Sequence, residues 1–216
     1  AEQAPLYEKA SIDEHYIDIT GMDRFFGSLK WTTELRQRIM DHTGLPISFG
    51  LSVNKTVSKI ATGEAKPNGL LQIQQAEVQP FLAPLSIRKI PMVGKKAYEL
   101  LRSMGVSKIA TLSSIPPEMM ERLMGKNGIV LWKKANGIDN TPVQQYSERK
   151  SISSESTFEN DTIDIIRMKE LISAKVERLA FELRKQQKLT SCITVKIRYA
   201  NFDTHTLQNR IPYTAF

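Results

Sequence analysis

Hydrophobic and polar positions change period several times along this chain, and the changes divide it. Two extended segments, Pro5–Ala10 and Tyr16–Thr20, flank the polar run Ser11-Ile12-Asp13-Glu14. Thr32–Asp41 has the spacing of an amphipathic helix, with Thr32 or Thr33 as its N-cap and Gly44 as its stop. Pro46–Val53 is rich in β-branched and aromatic residues and predicts a strand. Lys55–Glu64 predicts a helix capped by Ser52 or Asn54 and closed before Pro67. From Pro5 to about Ile73 strands therefore alternate with helices.

From Ala76 to Pro142 the pattern is mostly helical. Within it Leu85–Ile90, the turn Pro91-Met92-Val93-Gly94 and the run Lys95–Leu101 form a helix-hairpin-helix candidate, in which Met92 replaces the commoner glycine and Gly94 holds the more restrictive place. A second turn, Gly125-Lys126-Asn127-Gly128, precedes a helix whose Trp132 falls in the apolar pattern and predicts a core anchor. Pro142–Lys150 is polar, lacks periodicity and reads as a linker.

The remainder predicts a strand over Ser151–Phe158 and a long helix from about Thr162 to Gln187, capped by Asp161 or Thr162. A strand follows over Ser191–Tyr199, with Cys192, Thr194, Lys196 and Arg198 on one face and Ile193, Val195, Ile197 and Tyr199 on the other. Thr204–Ile211 is a further strand. Strand, helix, strand, strand is the opening of a split β-α-β unit. The fold class is α+β, in more than one domain.

Composition narrows the partners. The 216 residues hold one cysteine, Cys192, which excludes an internal disulfide and a cysteine-rich zinc site. No apolar run has the length of a membrane helix, and the N-terminus does not match a signal peptide; a cytoplasmic protein with no membrane partner is expected. The net charge of +7 is unevenly spread. Residues 1–87 carry 8 Lys/Arg against 10 Asp/Glu, residues 88–150 carry 12 against 5, and residues 151–216 carry 10 against 8. A basic block in an otherwise balanced chain predicts a polyanionic partner, with phosphate neutralisation as the source of affinity.

Asp13 and Glu14 are the candidate chemistry. Consecutive side chains of a strand point to opposite faces, so the two carboxylates serve one site only where the backbone bends. A hairpin tip would do this, and two close carboxylates with a nearby lysine suit a hard divalent cation and a phosphate-bearing substrate. Ser11-Ile12-Asp13-Glu14, followed by Tyr16-Ile17-Asp18-Ile19-Thr20, resembles the palm motif of the Y-family (translesion) DNA polymerases. Gly50-Leu51-Ser52-Val53-Asn54-Lys55, continuing through Lys59-Ile60-Ala61 to Lys66-Pro67-Asn68-Gly69-Leu70, resembles the second palm signature of that family. The Gly125–Gly128 turn resembles its thumb.

The resemblance implies a partial palm over residues 1–75, a thumb with a helix-hairpin-helix over 76–143, a linker over 144–150 and a partial little finger over 151–216. It implies low-fidelity, template-directed DNA synthesis in damage tolerance and repair, with two Mg2+ ions in the complete enzyme. Asp13 and Glu14 would be the catalytic metal ligands and Lys66 would touch the incoming deoxynucleoside triphosphate. Gly94, Lys95, Lys96, Gly125, Lys126 and Gly128, together with Arg149 and Lys150, would grip primer–template DNA. A sliding clamp is the further partner expected of the full-length protein, which the resemblance implies to be a monomer. The residues before Ser11 match neither the family's upstream palm strand, with its further metal-binding aspartate, nor its fingers. The closing segment of the little finger and the clamp-binding tail are unmatched too, so the chain is expected to be a fragment that alone does not extend a primer. The alternative is a non-catalytic DNA-binding module built on the helix-hairpin-helix, with Asp13 and Glu14 as surface. A non-polymerase phosphotransferase would leave the hairpin unexplained.

Overall fold

The computed structural model describes residues 6–22, 27–145 and 148–214, in an α+β arrangement. The chain divides into two compact units, Ala1–Ser147 and Glu148–Phe216. In the first, β1 (Leu6–Lys9) pairs antiparallel with β2 (His15–Asp18), with Lys9 opposite His15. Ala10–Glu14 is thus the hairpin tip, closed by the amides of Ala10 and Ser11, which both donate to the Glu14 carbonyl at 3.0 and 3.1 Å.

Helix α1 (Ser28–Thr43) begins a turn earlier than its apolar spacing predicts. Thr32 and Thr33 lie inside it and their hydroxyls donate back to the carbonyls of Ser28 and Leu29, so neither is the cap. Gly44, at φ 68°, ends the helix as expected. The next strand is shorter than Pro46–Val53. β3 spans Phe49–Leu51, because the carbonyl of Ile47 is taken by the Arg36 guanidinium (2.9 Å) rather than by a neighbouring strand. β3 pairs in parallel with β4 (Leu70–Gln72), and α2 (Lys55–Glu64) forms the crossover between them. Asn54 is the cap of α2, its side chain accepting from the Val57 amide, while the Ser52 hydroxyl donates to Ile73 instead.

Short helices α3 (Val78–Leu82), α4 (Lys95–Ser103), α5 (Ile109–Ser113), α6 (Pro117–Met124) and α7 (Lys126–Ala135) follow. Val57, Ile60 and Ala61 of α2 share one buried cluster with Leu82, Ile87, Leu101, Leu112, Met120 and Leu131. Each large side chain buried there contributes roughly 1.5–3 kcal/mol of transfer free energy, so the carboxylate hairpin's supporting helix and the helical segment are joined by a common core. Trp132 packs against that core, with its indole N–H buried and without a hydrogen-bond partner among the described residues.

In the second unit α8 (Ile165–Lys185) is capped by Asp164, which accepts from the amides of Ile166 and Arg167. Asp161 and Thr162 lie too far upstream to reach those amides; Thr162 accepts from Asp164 itself. β5 (Thr190–Arg198) and β6 (Thr204–Thr214) form an antiparallel ladder that sets Lys196 opposite Thr206 and Arg198 opposite Thr204. Ser151–Phe158 is not a strand. β5 pairs only with β6 among the described residues, and the segment is held through side chains, Ser154 to Lys175 and Glu155 to Lys196. An extended segment without a backbone partner does not make a ladder.

Candidate functional site

The hairpin tip is organised by a hydroxyl. Ser11 Oγ donates to Asp13 Oδ1 at 2.7 Å and accepts from the Glu14 amide at 3.0 Å. This bends the chain and leaves both acids exposed at the same tip. The Ser11 hydroxyl, with the residue's own amide and the charges of Lys66 and Lys59, holds the Asp13 carboxyl below the usual carboxylate range. Glu14 forms an ion pair with Lys59. The structure sets Asp13 and Glu14 on one tip within the field of the Lys66 charge, and adds Lys59, which the sequence reading left as a helix charge, through its ion pair with Glu14. Its spacing carried a signal: Lys55 and Lys59 are one turn apart on α2, and Lys66 follows seven residues on.

Two carboxylate groups with no sulfur or imidazole partner suit a hard divalent cation. Among the described residues no three His, Cys, Asp or Glu side chains are grouped to hold a metal, so the local donor set is the pair alone. A cation there would compete with Lys59 for Glu14.

Behind the tip, Lys55 pairs with Glu8 at 2.7 Å, both side chains less than one-fifth exposed, and lies over the Tyr16 ring. Burial would raise the Glu8 carboxyl, but Lys55 and the Gln144 amide outweigh it and the net displacement is downward. Burial pushes the Tyr16 phenol up to about 12, with the charges of Glu14, Glu8 and Asp139 adding to it. Thr56 donates to Asp139 at 2.6 Å and Asn54 to the Gly137 carbonyl at 2.8 Å. The described residues of the predicted linker Pro142–Lys150 lack regular structure, but the linker starts out tied down, because the Gln144 amide donates to Glu8 at 2.7 Å.

In the second candidate region, Ser86 caps a 3-10 turn (Ile87–Lys89), and Pro91–Gly94 leads into α4. The restrictive position is Met92, at φ 83°, and not Gly94, at φ −78° with open space around a Cβ. The expectation for Gly94 is corrected. The chain makes its left-handed turn at the methionine, where a glycine would be unstrained. Lys95 and Lys96 are exposed on the first turn of α4.

The impB/mucB/samB family profile matches residues 1–63, and the profile of that family's C-terminal domain matches residues 149–215. Together they span more than half of the chain. This chain belongs to the impB/mucB/samB family, the Y-family polymerases. It is 37% identical over 209 residues to DNA polymerase IV of Dehalococcoides mccartyi, covering 96% of this chain and 54% of the relative. DNA polymerase IV of Methanoculleus marisnigri is 34% identical, with 98% and 59% covered. A Y-family DNA polymerase chimera based on Dbh superposes with a TM-score of 0.86 at 27% identity, covering 98% of this chain and 61% of that structure. A solved structure described as a Dbh ternary complex gives 0.64 at 25% identity, covering 98% and 62%. The chain thus spans little more than half the length of the relatives that it matches.

Within this Y-family chain the second glycine-rich segment differs from its expected form. Gly125 alone makes the turn, at φ 61°, and α7 starts at Lys126. Gly128 is buried inside α7, where an added Cβ would stand 2.0 Å from the Met120 carbonyl oxygen. It serves close packing of α6 on α7 rather than an open phosphate turn, while Lys126 is exposed. Arg149 and Lys150 are exposed in the irregular start of the second unit.

Proposed function

We propose that this chain is the part of a translesion DNA-directed DNA polymerase that carries two of its metal-binding carboxylates and its grip on primer–template DNA. The observation that supports this most is the hairpin tip that carries Asp13 and Glu14, with Lys59 of α2 paired to Glu14 and the charges of Lys59 and Lys66 acting on Asp13, in a Y-family chain. In this reading residues 1–75 are palm, 76–143 thumb with a helix-hairpin-helix, 144–150 linker and 151–216 little finger. The longer protein works in damage tolerance at low fidelity, as a cytoplasmic monomer with a sliding-clamp partner.

The reaction joins a primer 3′ oxygen to the α-phosphorus of a deoxynucleoside triphosphate. The bond to the β-phosphate oxygen breaks, the hydroxyl proton is lost and pyrophosphate leaves. Asp13 and Glu14 are the residues that would hold Mg2+, and the bound ions would stabilise charge on the phosphoryl oxygens. The Lys66 charge acts on Asp13, and in this reading Lys66 would neutralise and orient the triphosphate. The Ser11 hydroxyl donates to Asp13 and favours its charged form.

The test is primer extension with Mg2+, using the chain within the full length that its relatives have, beside its Asp13→Ala form. Extension lost in the variant supports the reading. Absence of extension by the unaltered protein, with DNA binding kept, favours the non-catalytic binding module.

A further inference from the structure

The proposed grip uses Gly94, Lys95 and Lys96 and leaves Arg88 without a role. Arg88 is exposed in the 3-10 turn Ile87–Lys89, yet its guanidinium is held: its Cζ lies 3.9 Å from the centroid of the Tyr98 ring. The Arg88 amide is fixed in turn by the Ser86 hydroxyl at 3.3 Å. Tyr98 is half-buried, packs against the core, and its amide donates to the Gly94 carbonyl at 3.0 Å. The neighbouring Lys89 is committed to Glu64 at 2.7 Å, whereas Arg88 has no carboxylate partner among the described residues.

Arg88 and Tyr98, with Val93, Gly94 and Lys95, line an open concavity of about 390 Å³. No carboxylate lines it; the nearest acid to Lys95 is Glu99, at 4.0 Å. A stacked guanidinium keeps the N–H groups of its edge free and already oriented. That arrangement matches the paired oxygens of a phosphate at little further cost in side-chain entropy.

We propose that this concavity is a subsite for one backbone phosphate of duplex DNA, with Arg88 as its bidentate ligand and Tyr98 as the positioning residue. The inference rests on the DNA-binding reading above and goes beyond the glycine and lysines of the hairpin. DNA fits better than a free nucleotide because the concavity is open and lies in the basic third of the chain.

The experiment is fluorescence anisotropy of a labelled primer–template duplex against salt concentration, for the chain and four variants. Arg88→Ala is expected to weaken binding about tenfold and to lower the slope of log affinity against log salt by about 0.9, the loss of one phosphate contact. Arg88→Lys keeps the slope but loses about threefold in affinity, because an ammonium binds phosphate as a point charge. Tyr98→Phe, which keeps the aromatic face, is expected to bind like the unaltered chain. Unchanged affinity and slope in Arg88→Ala, with binding weakened in Lys95→Ala/Lys96→Ala, overturns the subsite and leaves the hairpin grip standing. Binding that is insensitive to salt and to all four variants overturns the subsite and the DNA-binding reading together.

Discussion

The Lys59 ammonium rests on the carboxylate of Glu14, joining α2 to the hairpin tip across 45 residues of sequence. Neither group is buried, with 36% and 47% of the side chains exposed, so the pair is weak and exchangeable. Lys59 thus stands where a divalent cation would approach Glu14. Lys59→Ala is expected to raise affinity for Mn2+ about two- to threefold, the value of one exposed ion pair. Asp13→Ala should abolish the binding. Water-proton relaxation with Mn2+ measures both, and equal affinity in all three proteins would sink the assignment of the tip as a metal site.

Glu8 and Lys55 form the more deeply set pair. The Glu8 carboxyl titrates below its ordinary 4.5, so the stability it confers is complete above that value and is lost as pH falls through the lower folded value. Glu8→Gln leaves Lys55 half-satisfied among half-buried neighbours and is expected to cost about 1–2 kcal/mol at pH 7. The penalty should shrink below pH 4.5. Urea midpoints of both proteins between pH 3 and 7 give the difference, and a penalty independent of pH would show that the ion pair is not its source.

Met92 holds a left-handed backbone that costs a side-chain-bearing residue about 1–2 kcal/mol. Glycine removes that strain and gives back part of the gain as entropy of the unfolded chain. Met92→Gly is therefore expected to stabilise by about 0.5–1 kcal/mol, whereas Gly94→Ala should stay within about 0.5 kcal/mol of the unaltered chain. Thermal unfolding decides, and a destabilised Met92→Gly would mean that the methionine side chain contributes more than its strain removes.

Gly128 gives the opposite result. An added methyl meets the Met120 carbonyl at 2.0 Å, so α6 and α7 must separate. Gly128→Ala is expected to destabilise by about 2 kcal/mol or more, while its folded fraction keeps DNA affinity. Loss of affinity at full stability would restore Gly128 to the phosphate contacts.

The hairpin tip that carries Asp13 and Glu14 and the α2 boundaries were legible in the sequence, because local chemistry sets them, and the α2 cap was narrowed to Ser52 or Asn54, of which the structure uses Asn54. So was the core position of Trp132, which follows from helical period. What escaped depended on partners distant in sequence. Arg36 shortens β3 by taking a carbonyl, and Gly128 is defined by a backbone on another helix. Ser151–Phe158 needed a neighbouring strand, which the segment's own residues cannot supply. Lys59 became part of the site only when the parallel crossover laid α2 beside the tip. The exchange of roles between Met92 and Gly94 reflects backbone angles that residue type suggests but does not fix.

The single core running from Val57 and Ile60 to Leu101 and Leu131 has a geometric consequence. It works like a ruler. The interval from the carboxylate tip to the basic hairpin is set once, by folding, and is reinforced at its middle by Asn54 on Gly137 and Thr56 on Asp139. In the proposed polymerase reading, a duplex held at one mark of that ruler would present its end at a constant offset from the other, with the interval set by the protein's own packing.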